Sequence, residues 1–180
     1  MASVASRTPG VKLYGFDMWL SGYGGSENPG SDFIKNELKK VGYTQTPILI
    51  SGNSHETLPA FFGDSRASWW KRRSVRKVAG DAPSAFELML VDGDHSLLGA
   101  YQDLMDTLPH LAVGGVLVFD DVAPGVIVDP DATQAEAGPD PEGWGDLLGV
   151  WRADMERFPD YRSFEYLANP PGVAMTVRLR

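Results

Sequence analysis

The chain contains no cysteine, which excludes disulfide bonds, thiolate zinc sites and cysteine nucleophiles. No apolar run approaches the length of a membrane-spanning helix, and the first ten residues lack the apolar core of a secretory signal. We therefore expect a cytoplasmic protein that does not bind membranes. Positive charge is also scarce, with a net charge of −8 over 180 residues. This balance argues against a nucleic-acid partner, because phosphate binding needs a basic face.

The remaining composition is that of an ordinary globular domain, with 43% hydrophobic and 22% charged residues. A chain of 180 residues suits one domain with a substantial core. We expect residues 11–180 to form this domain and residues 1–10 to form a disordered tail. Residues 122–146 are rich in Pro, Gly, Ala and acidic residues, which predicts a long, lid-like loop.

Short apolar runs alternate with helix-length segments along the chain. Strands are predicted at 12–16, 47–50, 86–91 and 116–119, helices at 31–41, 55–62, 97–108 and 147–158, and a hairpin at 161–167 and 173–179. Ser31 and Ser54 are the expected caps of the first two helices, and Gly114-Gly115 is expected to form a turn before the fourth strand. This order predicts a three-layer α/β fold with right-handed crossovers and an antiparallel end.

Acidic residues follow two of the predicted strands at the point where each strand ends. Asp92-Gly93-Asp94-His95 follows one apolar run, and Asp120-Asp121 follows the next. Because ligands bind beyond the carboxyl ends of parallel strands, we expect these side chains to converge on one crevice. Crowded carboxylates repel unless a cation or a shared proton relieves them. The ordinary alternative is that each acid only forms a turn or caps a helix.

The motifs YGFD, VDGDH and GGVLVFDD, followed by a C-terminal hairpin, resemble those of class I S-adenosylmethionine-dependent methyltransferases. Within that group the chain is similar to metal-dependent small-molecule O-methyltransferases, especially those acting on sugars of macrolide and aminocoumarin natural products. The resemblance covers residues 11–180. It implies a Rossmann-like, mostly parallel sheet with an antiparallel C-terminal hairpin, and methyl transfer from S-adenosylmethionine to a hydroxyl of a small molecule.

The resemblance also implies three sets of functional residues. The cofactor-binding set is Asp17, at the ribose, with Gly52, Asn53 and Ser54, near the adenine, and Asp92. The metal-binding set, for Mg²⁺ or another divalent cation, is Asp92, Asp120 and Asp121. The general base is Asp94 or His95. In this scheme the cation lowers the pKa of the substrate hydroxyl, and the base accepts its proton.

One departure from the family pattern concerns the start of the fold. The family begins with a strand and a Gly-rich turn of the form Glu-x-Gly-x-x-x-Gly, and this motif is absent here. We therefore expect the first βα element to be missing, which would leave a gap between the strands that end at Asp17 and Asp92. An open central edge invites pairing with another chain, so we expect a homo-oligomer that fills or closes this gap.

Two other functions remain open from the sequence. The chain could keep the fold without catalysis and serve as an oligomerisation or binding module, which the missing Gly-rich turn favours. It could instead be a metal-dependent hydrolase that uses the same acids. The basic segment 66–80 also has two interpretations, an amphipathic helix with a solvated basic face or a lid over an anionic or aromatic substrate.

Overall fold

The computed structural model describes residues 8, 10–19, 30–80, 83–122, 147–168 and 172–180. The chain divides into two compact units, Met1–Ala82 and Pro83–Arg180, and each is described by itself. Among the described residues, no helix is both long enough and apolar enough to cross a membrane.

Over its described residues, the first unit contains a two-stranded parallel sheet and three helices. Its elements are β1 (Tyr14–Asp17), α1 (Gly30–Lys40), β2 (Ile48–Ser51), α2 (Ser54–Phe62) and α3 (Trp69–Ala79). Strands β1 and β2 pair in register, so that Asp17 lies beside Ser51 where both strands end. Phe61 of α2 packs edge-on against Tyr14 and Phe16 of β1, and these ring contacts hold the helix to the strand.

The second unit, in the part that the structure describes, contains a four-stranded sheet and two α-helices. Its elements are β3 (Phe86–Val91), α4 (Leu97–Thr107), a 3₁₀ turn (Leu108–His110), β4 (Leu111–Asp120), α5 (Leu147–Arg157), β5 (Tyr161–Tyr166) and β6 (Val173–Arg178). The strand order is β3-β4-β6-β5. Strands β3 and β4 are parallel, whereas β6 runs antiparallel to both β4 and β5. Strand β6 is thus inserted between β4 and β5.

One face of this sheet forms the main core. Strand residues alternate between the two faces, and those that point to the covered face are buried, including Val91, Leu117 and Phe119. The indole ring of Trp151 in α5 is fully buried and stacks on the Phe119 ring with the centroids 5.8 Å apart. The opposite face carries apolar side chains that are more exposed, such as Phe164 at 47%.

The predicted helices and strands occur in the predicted order, and the hairpin at the end is antiparallel as expected. Helix α3 is an additional element that this order lacked, and it is the helix that one interpretation of the basic segment 66–80 expected. Several local predictions were wrong. The cap of α2 is Asn53 rather than Ser54, because the Asn53 side chain accepts the hydrogen bond from the amide of His55. Gly114-Gly115 lies within β4 and not in a turn before it, at an irregularity where Phe86 pairs with Leu111 but Leu88 pairs with Val116.

Other predictions concern parts that the structure does not test. Of the lid-like loop, residues 123–146 lie outside the described residues, as do residues 1–7 of the expected tail. Among the described strands, β1 pairs only with β2, and β3 pairs only with β4. The missing first βα element, the gap and the single-domain organisation stay predictions.

Candidate functional site

The acidic loop after β3 turns sharply into helix α4. The Asp94 carboxylate accepts a hydrogen bond from the amide of Ser96 at 2.9 Å. Ser96 in turn caps α4, since its hydroxyl oxygen accepts a hydrogen bond from the amide of Gly99 at 3.1 Å. These two side-chain-to-backbone bonds are the usual way to satisfy amides at a helix start. They fix the course of the loop on either side of His95.

The residue that follows β4, Asp121, adopts an unusual backbone conformation. Its φ is 57°, in the left-handed region that few residues other than glycine enter. Its amide donates a hydrogen bond to the carboxylate of Asp120 at 3.0 Å. Non-glycine residues held in this region often occur at functional sites, where the surrounding structure maintains them. Here the turn separates the two neighbouring carboxylates.

These two loops bring three side chains together. Nε2 of His95 lies 3.5 Å from Oδ1 of Asp92 and 3.5 Å from Oδ2 of Asp121. Their side chains differ in exposure, at 18% for His95, 50% for Asp92 and 15% for Asp121. The buried Nε2 atom has no aligned hydrogen bond within the described part of the chain. The ends of β3 and β4 therefore bring an imidazole and two carboxylates together.

The electrostatics of this cluster are strongly coupled. The pKa of His95 is raised by its contact with Asp92 and by the charges of Asp121, Asp92 and Asp94, although burial opposes the change. Because the His95–Asp92 pair lacks hydrogen-bond alignment, we attribute this attraction mainly to charge. The pKa of Asp121 is also raised, mostly by burial and to a lesser extent by the nearby Asp120 and Asp92 charges, while His95 opposes the shift. The carboxylates around His95 thus favour positive charge on its imidazole.

A divalent cation fits this arrangement. The ligand atoms of Asp92, His95 and Asp121 all lie within 4.8 Å of one another. Metal–ligand bonds of about 2.0–2.2 Å to nitrogen and oxygen would need only small side-chain movements to meet at one ion. The set is not the one expected from the sequence, since His95 joins Asp92 and Asp121 while Asp120 is outside the group. The role of Asp120 as a ligand stays a prediction.

Gly93 and Asp94, the two loop residues outside the cluster, face helix α4. A Cβ atom added at Gly99 would lie 2.1 Å from Cγ of Asp94, so the Asp94 side chain occupies the space that glycine leaves. Beneath the same loop lies Asp103 of α4, whose carboxylate accepts a hydrogen bond from the Asp94 amide at 3.5 Å. Asp103 was missed in the sequence, although its spacing places an acid on the buried face of an amphipathic helix.

The predicted cofactor residues Asp17, Gly52, Asn53 and Ser54 lie in the first unit. The amide of Gly52 donates a hydrogen bond to the carbonyl oxygen of Asp17 at 3.0 Å, so the two predicted segments are adjacent. The Asp17 carboxylate accepts a hydrogen bond from the amide of Trp19 at 2.6 Å. The side chain of Asn53 caps α2. These contacts place Asp17 beside the segment that begins at Gly52, at one sheet edge. The ribose-binding and adenine-binding roles stay predictions.

A sequence profile of the methyltransferase domain family matches residues 1–122. The chain therefore belongs to the methyltransferase domain family. No curated protein sequence matches this chain.

Solved structures similar to this one include several O-methyltransferases. TomG from Streptomyces achromogenes, an O-methyltransferase of tomaymycin synthesis solved with S-adenosylmethionine, has a TM-score of 0.58 and 16% identity over 96% of this chain and 64% of its own. A putative O-methyltransferase from Nostoc punctiforme has a TM-score of 0.56 and 18% identity over 97% of this chain and 46% of its own. MycE of the mycinamycin pathway, solved with Mg and S-adenosylhomocysteine, has a TM-score of 0.50 and 14% identity over 93% of this chain and 45% of its own.

At these identities the likeness establishes the fold, which is the predicted Rossmann-like methyltransferase fold. The chain spans from 45% to 64% of the length of these three proteins.

Proposed function

We propose that this chain acts as a cytoplasmic S-adenosylmethionine-dependent O-methyltransferase assisted by a divalent cation. The observation that carries the proposal is the cluster of Asp92, His95 and Asp121 at the ends of two parallel strands of a methyltransferase-family domain. Strand ends are where this fold class binds its ligands. Two carboxylates and an imidazole at this position match the needs of a reaction that must bind a hydroxyl and remove its proton.

The proposed cation is Mg²⁺ or another divalent ion, with Asp92 and Asp121 as ligands and Asp120 as a further candidate. Bound there, it would lower the pKa of a substrate hydroxyl. Oxygen ligands suit Mg²⁺ and Mn²⁺, whereas an imidazole ligand would favour Zn²⁺, Fe²⁺ or Ni²⁺. MycE, whose crystals contained Mg, is a fold relative that supports this choice.

For the general base we propose His95 rather than Asp94. One oxygen of the Asp94 carboxylate accepts the Ser96 amide hydrogen bond, and the side chain lies against Gly99. Nε2 of His95 instead points towards the acid pair. A base must reach the proton that it removes, and geometry is the first criterion. In this position Nε2 would accept the hydroxyl proton as the substrate oxygen attacks the methyl group in line.

The proposed cofactor site comprises Asp17 at the ribose and Gly52, Asn53 and Ser54 near the adenine. The hydrogen bond between Gly52 and Asp17 supports this assignment because it joins the two segments at one edge. The proposed acceptor is a hydroxyl of a small natural product, with a sugar hydroxyl as the narrower candidate. TomG and MycE, both named for natural-product pathways, support that substrate class through the shared fold.

Calorimetric titration with S-adenosylhomocysteine tests cofactor binding directly. Micromolar binding is the expected result, while the absence of heat at high ligand concentration would favour a non-catalytic binding module. Methyl transfer predicts product only when the sulfonium donor is present. Product formed without the donor would identify a metal-dependent hydrolase instead.

The metal and base roles are separated by two variants. Asp121→Asn should abolish metal-dependent turnover and weaken Mn²⁺ binding. His95→Gln should lower kcat while Mn²⁺ binding, measured by calorimetry, stays close to that of the wild type. If His95→Gln abolishes Mn²⁺ binding, the imidazole is a ligand rather than the base. Full activity in EDTA would refute the metal assignment altogether.

We also propose that the protein is a homo-oligomer. Within the described strands, β1 and β3 each have one strand neighbour, and an unpaired strand edge favours pairing with a second chain. Light scattering should give a mass above that of one chain. A monodisperse monomer would contradict this proposal without affecting the proposed chemistry.

A further inference from the structure

Helix α4 carries an acid on its buried face directly beneath the loop that forms the cluster. Asp103 is only 3% exposed. Its Oδ2 atom accepts the hydrogen bond from the Asp94 amide at 3.5 Å. The same oxygen lies 2.6 Å from the position that a Cβ atom at Gly93 would take. The carboxylate therefore fills the space under two consecutive loop residues.

A buried carboxylate carries a large desolvation cost, so an apolar residue would be the ordinary choice at this position. An apolar side chain could not accept the Asp94 hydrogen bond, which would leave a backbone amide without that partner. The contact also requires glycine at position 93, because any side chain there would collide with the acid. Both features tie the middle of the loop to α4.

The residues that flank this anchored pair are the ones that face the crevice. Asp92 precedes Gly93 and His95 follows Asp94, and both contribute to the cluster with Asp121. We propose that Asp103 is a positioning residue, which holds Gly93 and Asp94 against α4 so that Asp92 and His95 are directed towards Asp121. This inference rests on the proposed function, because the value of that orientation lies in binding the cation and accepting a proton.

Asp103→Leu tests the role with little change in size, because leucine has no oxygen to accept the Asp94 hydrogen bond. Asp106→Leu is the matched control, because Asp106 lies one turn further along α4 and is almost equally buried, at 4% exposure. The first measurement is the affinity for Mn²⁺ by calorimetry. The second is hydrogen exchange of the amides of residues 92–96 in the metal-free protein, which needs no activity. Thermal unfolding of both variants measures any general loss of stability.

We expect Asp103→Leu to weaken Mn²⁺ binding about tenfold, the lower end of the loss seen when a group that orients metal ligands is removed. It should also speed exchange in the loop. Asp106→Leu should change neither, even if both variants lose similar stability. Equal effects of the two variants on Mn²⁺ affinity and loop exchange would overturn the inference.

Gly93→Ala gives an independent test that keeps Asp103 in place. Its methyl group would push against the carboxylate, so the same faster exchange and weaker binding are expected. Wild-type behaviour of this variant would overturn the inference even if Asp103→Leu failed to fold. If the wild-type protein binds no Mn²⁺, the proposed metal assistance fails, and loop exchange in the metal-free variants alone decides the role of Asp103.

Discussion

Replacing Gly99 by alanine should destabilise the protein, although the same change usually stabilises a helix. Gly99 lies in the first turn of α4 and is buried. In a helix interior the exchange of glycine for alanine normally gains about 0.5–1 kcal/mol. Here the new Cβ would lie 2.1 Å from Cγ, 2.2 Å from Oδ2 and 2.6 Å from Cβ of Asp94. Because Cβ is fixed to the backbone, rotating the side chain cannot relieve the overlap.

Overpacking of this kind costs about 1–3 kcal/mol, and displacing Asp94 also weakens its hydrogen bond to Ser96, worth about 1 kcal/mol. The expected net loss is therefore about 1–3 kcal/mol in the free energy of unfolding, measured by urea denaturation. Leu98→Ala is the control on the outer side of the same turn, where Leu98 is 74% exposed, and should change little. If Gly99→Ala is more stable than the wild type, Asp94 does not occupy this space, and the assignment of His95 as the better-placed base loses its support.

Three further outcomes follow from other contacts. NMR titration of the metal-free protein should give His95 a pKa above that of an ordinary histidine, and Asp92→Asn should lower that pKa. The stabilisation from the His95–Asp92 pair is present at low pH and is lost as the pH rises through the folded-state pKa of His95. Arg152→Ala removes a bidentate ion pair with Glu165. It should lower the free energy of unfolding by only about 0.2–1 kcal/mol in urea denaturation, because the arginine side chain is 57% exposed. Trp151→Ala should cost about 3–5 kcal/mol in the same assay, since the indole is fully buried, and a loss below 1 kcal/mol would contradict the packing of α5.

The fold could be predicted because each element carries its own local signal. Continuous apolar runs mark the buried parallel strands β3 and β4, and helical spacing marks α4 between them. Strand ends follow directly from where the apolar runs stop, so the convergence of Asp92 and Asp121 was also predictable. Errors of one residue at the ends of helices arise because a cap depends on local backbone angles, as with Asn53 and Ser54.

Residue types alone could not predict which residues join Asp92 in the cluster. Asp120 and Asp121 are chemically equal in the sequence, and their directions are set by the left-handed backbone at Asp121. Asp94 and His95 are likewise adjacent, and their separation depends on the space at Gly99. These choices depend on tertiary contacts, which composition and periodicity do not contain.

The four residues that follow β3, at positions 92–95, face two different directions. Gly93 and Asp94 face helix α4, where the first makes room for Asp103 and the second fills the space left by Gly99. Asp92 and His95 face the crevice. The motif has three functional side chains, of which two face the crevice, while Asp94 and the glycine hold the loop. Because the anchoring contacts lie on the helix side, they can be altered without replacing any residue of the cluster. The effect of the loop's position can therefore be measured separately from the effect of the cluster's own side chains.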